Sequence, residues 1–314
     1  MIENKSPPRD YRQEVTNDII RLLEEGAAPW QKPWEGSGGL PMNATTGKPY
    51  RGGNVISLMI AGIRNGYTDP RWMTFNQMDK AGWRFKGKQH HTGKIEYFET
   101  KLAKNQEEED DPRYYALRRV FLLYNAEQVE GVPPLVTATR DPWQVCEDGE
   151  NMLKQSGADI RHGGGRAFYN RASDHIQLPE KQCFISAPAY YGTAAHELIH
   201  WTGNEKRLNR ETLNKSRGFD RADDFYSREE LIAEIGSMML AVERGIPHDP
   251  SQHAAYVASW IKALKNDKNE IFRAASAASD AVDWVLQRQK DKATEPPPDT
   301  PTRSAFRSAA ALHR

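Results

Sequence analysis

Residues 193–203 read TAAHELIHWTG. His196 and His200 are four residues apart, so on a helix their imidazoles project from one face about one turn apart. Two neutral imidazoles placed in this way can hold one zinc ion, and Glu197 in this motif usually takes a proton from the metal-bound water. A chance match on a surface helix would more often have charged neighbours than Ala, Leu and Ile. We expect the helix to end at Gly203 in a left-handed conformation.

A catalytic zinc site needs a third protein ligand and one open position. The continuation H-E-x-x-H-x-x-G-x-x-H would supply a third His, but Lys206 stands there. A carboxylate on a second predicted helix is the alternative, and residues 227–240, SREELIAEIGSMML, offer Glu230 and Glu234 on one face. Either could bind the metal, while the other, which would not bind the metal itself, orients a ligand His.

The pattern E-x-x-A-E in this second helix resembles the E-x-x-S-D of Glu-ligand zinc peptidases. That resemblance assigns Glu230 to the metal and Glu234 to the supporting position. The expected cofactor is Zn²⁺, with Mn²⁺ or another divalent ion as the alternative. Tyr226, just before this helix, could polarise a bound carbonyl or could simply pack in the core.

The composition is that of a globular protein without a membrane span. The chain has 314 residues, 38% hydrophobic and 27% charged, and a formal net charge of +0. It contains no apolar run of about 18 residues, and its first residues do not resemble a signal peptide. Cys146 and Cys183 are too few and too far apart in sequence for a disulfide framework or a zinc pair. We therefore expect a cytoplasmic protein that does not associate with a membrane.

The neutral total hides an uneven charge distribution. Residues 26–105 contain twelve Lys and Arg against five Asp and Glu, for a net +7, whereas residues 107–111 read EEEDD. Aromatic residues are interspersed among these cations, as in WRFKGK at residues 83–88. Single-stranded nucleic acid is held by aromatic faces that stack on bases and by cations that follow the phosphates. The alternative is that most of these aromatic residues belong to the core.

We predict an α+β protein with two domains. Residues 1–130 form a small mixed α/β domain, 131–142 a linker, 143–289 a domain built around the H-E-x-x-H helix, and 290–314 a disordered tail. Within the second domain we expect a hairpin over residues 159–170 and then an edge strand near residues 174–179, which could pair with a peptide. We expect the cationic segment that follows Gly203 to be a mobile loop near the site.

Seven motifs make the chain similar to the ArdC-type antirestriction proteins of conjugative plasmids, which are related to the N-terminal region of TraC-type primases. The motifs are YRQEVT (11–16), PWQKPW (29–34), NATTGKPYRG (43–52), RWMT (71–74), NAEQ (125–128), HELIHWTG (196–203) and EELIAE (229–234). One position departs from the family pattern: Lys88 stands where a Glu is more common.

The resemblance implies an N-terminal domain that binds single-stranded DNA and a C-terminal zincin-like metallopeptidase domain, which together protect incoming plasmid DNA from host restriction during conjugation. In the motifs that match, the residues we expect to contact DNA are Trp30, Lys32, Trp34, Lys48, Tyr50, Arg51, Arg71 and Trp72.

Two hypotheses follow for the second domain. In the first, His196, His200 and Glu230 bind zinc, and Glu197 is the general base in the hydrolysis of a peptide bond. A host protein is the candidate substrate. In the second, the protein is a non-enzymatic shield that coats single-stranded DNA, and its zinc domain is structural or vestigial. A primase is disfavoured, because no acidic cluster suited to two-metal nucleotidyl transfer follows the first domain.

Overall fold

The computed structural model describes residues 10–31, 39–102, 114–136, 142–216, 224–246 and 256–294. Its helices are α1 Tyr11–Glu24, α2 Gly53–Asn65, α3 Phe75–Lys80, α4 Pro142–Ser156, α5 Ala187–Thr202, α6 Glu211–Lys215, α7 Asp224–Arg244, α8 Val257–Asn266 and α9 Glu270–Thr294. Its strands are β1 Met42–Asn43, β2 Arg71–Met73, β3 Arg84–Phe85, β4 Gly93–Leu102, β5 Tyr114–Asn125, β6 Val129–Glu130, β7 Asp159–His162, β8 Phe168–Asn170 and β9 His175–Leu178.

The N-terminal half combines helices α1 to α3 with a sheet of order β1-β2-β5-β4. Asp10 caps α1 by accepting a hydrogen bond from the backbone N–H of Gln13, as its position before the apolar stripe predicts. Strands β4 and β5 pair antiparallel over ten residues each. Helix α2 packs against β4, so one face of this sheet is covered near the base of the hairpin.

The C-terminal half surrounds α5 with helices α4, α7 and α9 and a small sheet of order β7-β9-β8. The predicted hairpin over residues 159–170 is wrong. Strands β7 and β8 both pair with β9, which is parallel to β7 and antiparallel to β8. Strand β9 therefore lies between β7 and β8, although β7 and β8 are neighbours in sequence. It is the central strand of this sheet and not an edge strand.

The two halves share one hydrophobic core. Trp30 from the N-terminal half lies edge-on against Trp260 of α8, and both side chains are fully buried. Polar contacts reinforce this interface: the Thr16 hydroxyl donates to the carbonyl of Lys268, and the backbone N–H of Gly52 donates to Ser279 Oγ. Helices α8 and α9 thus close the N-terminal half as well as the C-terminal half.

The chain beyond residue 289 is ordered further than predicted. Helix α9 continues to Thr294, so the expectation of disorder is wrong for residues 290–294, and residues 295–314 lie outside those described. Residues 131–136 of the predicted linker form neither helix nor strand, and α4 begins at Pro142. Among the described residues, no helix is both long enough and apolar enough to cross a membrane.

Candidate metal centre

Helix α5 carries the H-E-x-x-H motif into the core. Ser186 caps its N-terminus by accepting a hydrogen bond from the backbone N–H of Ala189. Almost every residue from Tyr190 onward is buried, because the helix is surrounded by α4, α7, α9 and the β8–β9 strands. The motif is therefore placed inside the domain, where its charged side chains require partners.

The end of α5 differs from the prediction. Gly203 is the C-cap, but its φ of −76° and ψ of −8° are right-handed, so the predicted left-handed conformation is wrong. A close approach by a side chain favours the glycine instead. A Cβ added at Gly203 would lie 2.6 Å from Nη2 of Arg210, whose guanidinium packs directly over this backbone.

Three potential ligands converge between α5 and α7. The Nε2 atoms of His196 and His200 face each other at 3.1 Å. The two carboxylate oxygens of Glu230 each lie 3.5 Å from one of these Nε2 atoms. All three side chains are buried, and within the described part of the chain no other such group of potential ligands comes together. Two imidazoles and one carboxylate form the donor set of a catalytic zinc site.

The outer nitrogens of the two imidazoles also face carboxylates. Nδ1 of His200 lies 3.2 Å from Glu229 Oε1, and Nδ1 of His196 lies 3.6 Å from Glu234 Oε1. Glu234, which we expect to support a ligand His, lies on the outer side of the His196 imidazole. Glu229 was not predicted, and the available signal was its place in an apolar helical segment, where a buried carboxylate requires a partner.

The charges of this cluster favour a cation at its centre. Burial opposes the charged form of His200, but hydrogen bonds to Glu229 and Glu230 outweigh it and raise the pKa of His200 to about 10. Burial likewise raises the pKa of Glu230, but hydrogen bonds from His196 and His200 prevail and place it well below its usual value. The arrangement attracts positive charge to the point between the two Nε2 atoms, which fits a divalent ion.

Glu229 is itself fixed by two further side chains. Arg210 donates to both of its carboxylate oxygens, from Nη2 at 2.6 Å and from Nε at 3.1 Å, and Thr212 Oγ1 donates to Oε2 at 2.5 Å. Burial raises the pKa of Glu229, but the charge of Arg210 and the hydrogen bonds from His200 and Arg210 lower it to about 2. The carboxylate is therefore an anion held in one orientation.

The segment that follows Gly203 is anchored and not a mobile loop, at least as far as Ser216. Arg207 donates to the carbonyl of Trp201 and to Asp174, and its guanidinium lies 3.8 Å from the Trp201 ring centroid. The prediction of mobility is wrong for residues 204–216, and residues 217–223 lie outside those described. The two Arg residues of this segment are engaged within the protein, whereas Lys206 and Lys215 are exposed.

Glu197 lies beside this centre and lines the same cavity. Burial raises the pKa of its carboxyl, and the neighbouring His196 and His200 and a hydrogen bond from the backbone N–H of Tyr169 act in the opposite direction. The cavity has a volume of about 660 Å³ and is lined by His196, His200 and Glu230. Strand β8 borders it, so the sheet edge next to the site is β8 and not the predicted β9 strand.

Two tyrosines border the same cavity. The hydroxyl of Tyr226 lies 3.0 Å from that of Tyr256, and both residues line the cavity together with Glu230. Burial is the main reason that the pKa of Tyr226 is far above its usual value. Tyr226 is therefore a neutral hydrogen-bond donor beside the potential metal ligands.

The aromatic residues that we predicted to contact DNA are buried wherever the structure describes them. The structure buries Trp30, Tyr50 and Trp72 with at most 6% exposure, so these rings cannot stack on bases in this conformation, and that part of the prediction is wrong. They fill the core because the burial of large apolar rings is energetically favourable. Lys32 and Trp34 lie outside the described residues.

The predicted cations are mostly engaged within the protein. Arg51 pairs with Glu243 and Asp283 across the interface between the halves. Arg71 binds Asp69 and donates to the carbonyl of Pro133. Lys48 is exposed, as a phosphate contact requires.

Another aromatic group is accessible in the N-terminal half. Phe75, Phe85 and Tyr124 form a ladder in which the Phe75 and Phe85 centroids are 6.1 Å apart and the Phe85 and Tyr124 centroids 4.6 Å apart. Phe75 is 53% exposed, and the neighbouring Arg84 and Lys86 are exposed. The alternation of aromatic and cationic residues in WRFKGK indicates this region, whereas the predicted Trp30 and Trp72 are buried.

Comparison with known proteins identifies the family. Residues 9–129 match the family model of the N-terminal domain of anti-restriction factor ArdC, and residues 147–277 match that of a zincin-like metallopeptidase. The fold is similar to the crystal structure of the metal-free antirestriction ArdC protein from the R388 plasmid, with a TM-score of 0.75 and 34% identity over 90% of this chain and 99% of that one. The chain belongs to the ArdC family of antirestriction proteins. The expected two-domain α+β architecture is confirmed.

The chain is also similar to two relatives with other names and to a second structure of the R388 protein. It is 33% identical to the uncharacterized protein y4eC of Sinorhizobium fredii, over 93% of this chain and 97% of that protein. It is 42% identical to the DNA primase TraC of Escherichia coli over 94% of this chain, but it spans only 28% of TraC. A Mn(II)-bound crystal structure of the R388 ArdC protein is also similar, with a TM-score of 0.69 and 36% identity. The zincin-like domain implies a divalent metal.

Proposed function

We propose that this ArdC-family protein is cytoplasmic and protects incoming plasmid DNA from host restriction during conjugation. In this proposal its N-terminal half binds single-stranded DNA, and its C-terminal half is a metal-dependent peptidase. The observation that carries the peptidase assignment is the convergence of His196, His200 and Glu230 beside the buried Glu197. A host protein is the proposed substrate.

The three ligands would hold a divalent ion, and Zn²⁺ is the proposed one because two imidazoles and a carboxylate match its preferred donors. The Mn(II)-bound R388 relative makes Mn²⁺ the alternative. When bound, the ion would supply Lewis acidity and activate a water molecule. The remaining chemistry belongs to the side chains around the cavity.

Glu197 is the proposed general base and acid. Its carboxylate lines the cavity next to the ligands, where it can take a proton from the attacking water and return it to the departing amine. Burial raises the pKa of Glu197, which is the direction that makes the protonated form accessible for the second step. The Tyr226 hydroxyl can donate to the carbonyl oxygen of the substrate as negative charge develops there.

Strand β8 offers a means of holding an extended peptide. Its inner edge pairs with β9, and no strand of the described residues pairs with its outer edge. Phe168, Tyr169 and Asn170 of this strand all line the cavity. A peptide added along β8 would form backbone hydrogen bonds and place its chain across the ligands.

For the N-terminal half, we propose that the ladder of Phe75, Phe85 and Tyr124 stacks on bases while Arg84 and Lys86 contact phosphates. Each stacked base contributes about 1–3 kcal/mol. Fluorescence anisotropy of labelled single-stranded and double-stranded oligonucleotides with the full chain, over a salt series, tests this half. Salt-dependent binding that prefers the single strand supports the proposal, and no binding at low salt contradicts it.

Restriction of incoming plasmid DNA in cells distinguishes a peptidase from a shield. The Glu197→Gln variant keeps the three ligands and removes only the base. If the peptidase acts in protection, this variant loses protection while DNA binding remains. Full protection by Glu197→Gln would instead favour a non-enzymatic coat on single-stranded DNA.

A further inference from the structure

We propose that Arg210 is a positioning residue for the metal centre and not a metal ligand. It acts through Glu229, which orients the His200 imidazole. This inference rests on the proposed metal site at His196, His200 and Glu230. Arg210 lies in the loop after the H-E-x-x-H helix, and no residue of that loop contributes to the three-ligand group.

The contacts form a continuous chain from the loop to the centre. The guanidinium of Arg210 donates to both oxygens of Glu229. Glu229 Oε1 in turn lies 3.2 Å from Nδ1 of His200, so His200 can donate its Nδ1–H there and present a lone pair at Nε2. Nε2 is the atom that faces His196 and Glu230. The direction of this imidazole thus depends on where Glu229 is held.

Arg210 also fixes the carboxylate relative to the helix that carries His200. Its Nη1 donates to Thr202 Oγ1 at 2.7 Å, and its Nη2 donates to the carbonyl of Ile199 at 2.6 Å. One planar group therefore joins the end of α5 to Glu229 at the start of α7. A lysine ammonium has a single nitrogen and cannot span the same four acceptors.

Gly203 makes room for this guanidinium. A Cβ at this position would lie 2.6–2.9 Å from Nη2, Cζ and Nε of Arg210. The two nitrogens are held by hydrogen bonds to the carbonyl of Ile199 and to Glu229. The right-handed backbone of Gly203 would itself accept an alanine without strain, since its φ is −76°. Gly203→Ala therefore displaces Arg210 without altering any ligand or the backbone conformation.

The chain offers a matched control for each change. Arg207, three residues earlier, also binds the end of α5, through the carbonyl of Trp201, but its other partners are Asp174 and Tyr169 and not Glu229. Gly192, in the same helix as His196, has no atom within 4 Å of an added Cβ. Arg207→Lys and Gly192→Ala thus make the same two kinds of substitution at positions whose contacts do not include Glu229.

Calorimetric titration of the full-length apoprotein with Mn²⁺ tests the proposal. We expect Arg210→Lys and Gly203→Ala each to weaken Mn²⁺ binding about 10- to 100-fold, as for other supporting groups of metal-bound His. Arg207→Lys and Gly192→Ala should bind within about twofold of the wild type. Thermal melts of each apoprotein show whether the variant is folded, and the absorption spectrum with Co²⁺ reports ligand geometry, which should change only in the first pair.

The outcomes separate this inference from the function on which it rests. If the wild type binds Mn²⁺ and both Arg210→Lys and Gly203→Ala bind it equally well, the positioning role is wrong while the metal site stands. Equal weakening in Arg207→Lys would also overturn it, because the effect would then belong to the helix end in general. If the wild type binds no Mn²⁺, the proposed metal site falls, and the inference with it.

Discussion

The indole of Trp30 packs against that of Trp260 with ring centroids 5.8 Å apart and an angle of 71° between the planes. Trp260 also donates from Nε1 to the carbonyl of Ser227 at the start of α7, three residues before Glu230, and stacks against Tyr256, which lines the cavity. A residue from the proposed DNA-binding half thus belongs to the same packed cluster as the helix that bears the proposed third ligand.

Because the halves share this core, we predict that they unfold together. Replacing Trp30 with Ala should lower the free energy of unfolding by about 3–5 kcal/mol, the cost of removing a large buried ring. Urea unfolding followed by tryptophan fluorescence and by far-UV circular dichroism should show one coincident transition in the wild type. Two separate transitions, or a loss of less than about 1 kcal/mol in Trp30→Ala, would show that the interface contributes little.

The exposed aromatic ladder should carry the DNA affinity of the N-terminal half. Phe75→Ala removes a ring that is 53% exposed, so it should reduce single-strand affinity roughly 5- to 150-fold, for about 1–3 kcal/mol of stacking, and change stability little. Anisotropy measures the affinity. Ile185→Ala, which removes an exposed apolar side chain of the C-terminal half, should have no effect. Unchanged binding by Phe75→Ala would exclude Phe75 as a stacking platform.

The placement of these aromatic residues shows a limit of sequence interpretation. Residues 26–105 are rich in aromatic and cationic residues, but composition does not say which rings are buried. Trp72 is central because β2 pairs with both β1 and β5, and Trp30 is central because α8 covers it. Both facts depend on contacts between residues far apart in the chain.

The two carboxylates on α7 should differ in their effect on metal binding. Glu230 faces both Nε2 atoms, whereas Glu234 lies 3.6 Å from the outer nitrogen of His196. We therefore predict that Glu230→Gln abolishes Mn²⁺ binding measured by calorimetry, and that Glu234→Gln weakens it only about 10- to 100-fold. The reverse order would make Glu234 the third ligand.

Metal should also stabilise the fold, because the ligands come from two helices that separate on unfolding. Mn²⁺ at about 100 times its Kd should add about 2.7 kcal/mol to the free energy of unfolding. Urea unfolding of the wild type and of His200→Ala, with Mn²⁺ and with EDTA, measures this difference. The variant should show no gain from Mn²⁺, and an equal gain in both proteins would locate metal binding elsewhere.

Much of the candidate site followed from local periodicity, because His196 and His200 and then Glu230 and Glu234 repeat at the four-residue spacing of a helix. The meeting of α5 with α7 could be expected only from resemblance to known zinc peptidases. Glu229 and Arg210 were not predicted, since their pairing depends on how the loop after Gly203 folds back. The sequence does not indicate the order β7-β9-β8, because two strand patterns that are adjacent in the sequence favour a hairpin.

The measurement that tests the peptidase assignment most directly is cleavage of a proteome-derived peptide library, read by mass spectrometry. Wild type and Glu197→Gln are compared after loading with the same measured amount of Zn²⁺ or Mn²⁺. The wild type should generate new peptide termini, and Glu197→Gln, which retains all three ligands, should lose this activity about 10²- to 10⁴-fold. Equal cleavage by the two proteins, or no cleavage by the metal-loaded wild type, would contradict the account.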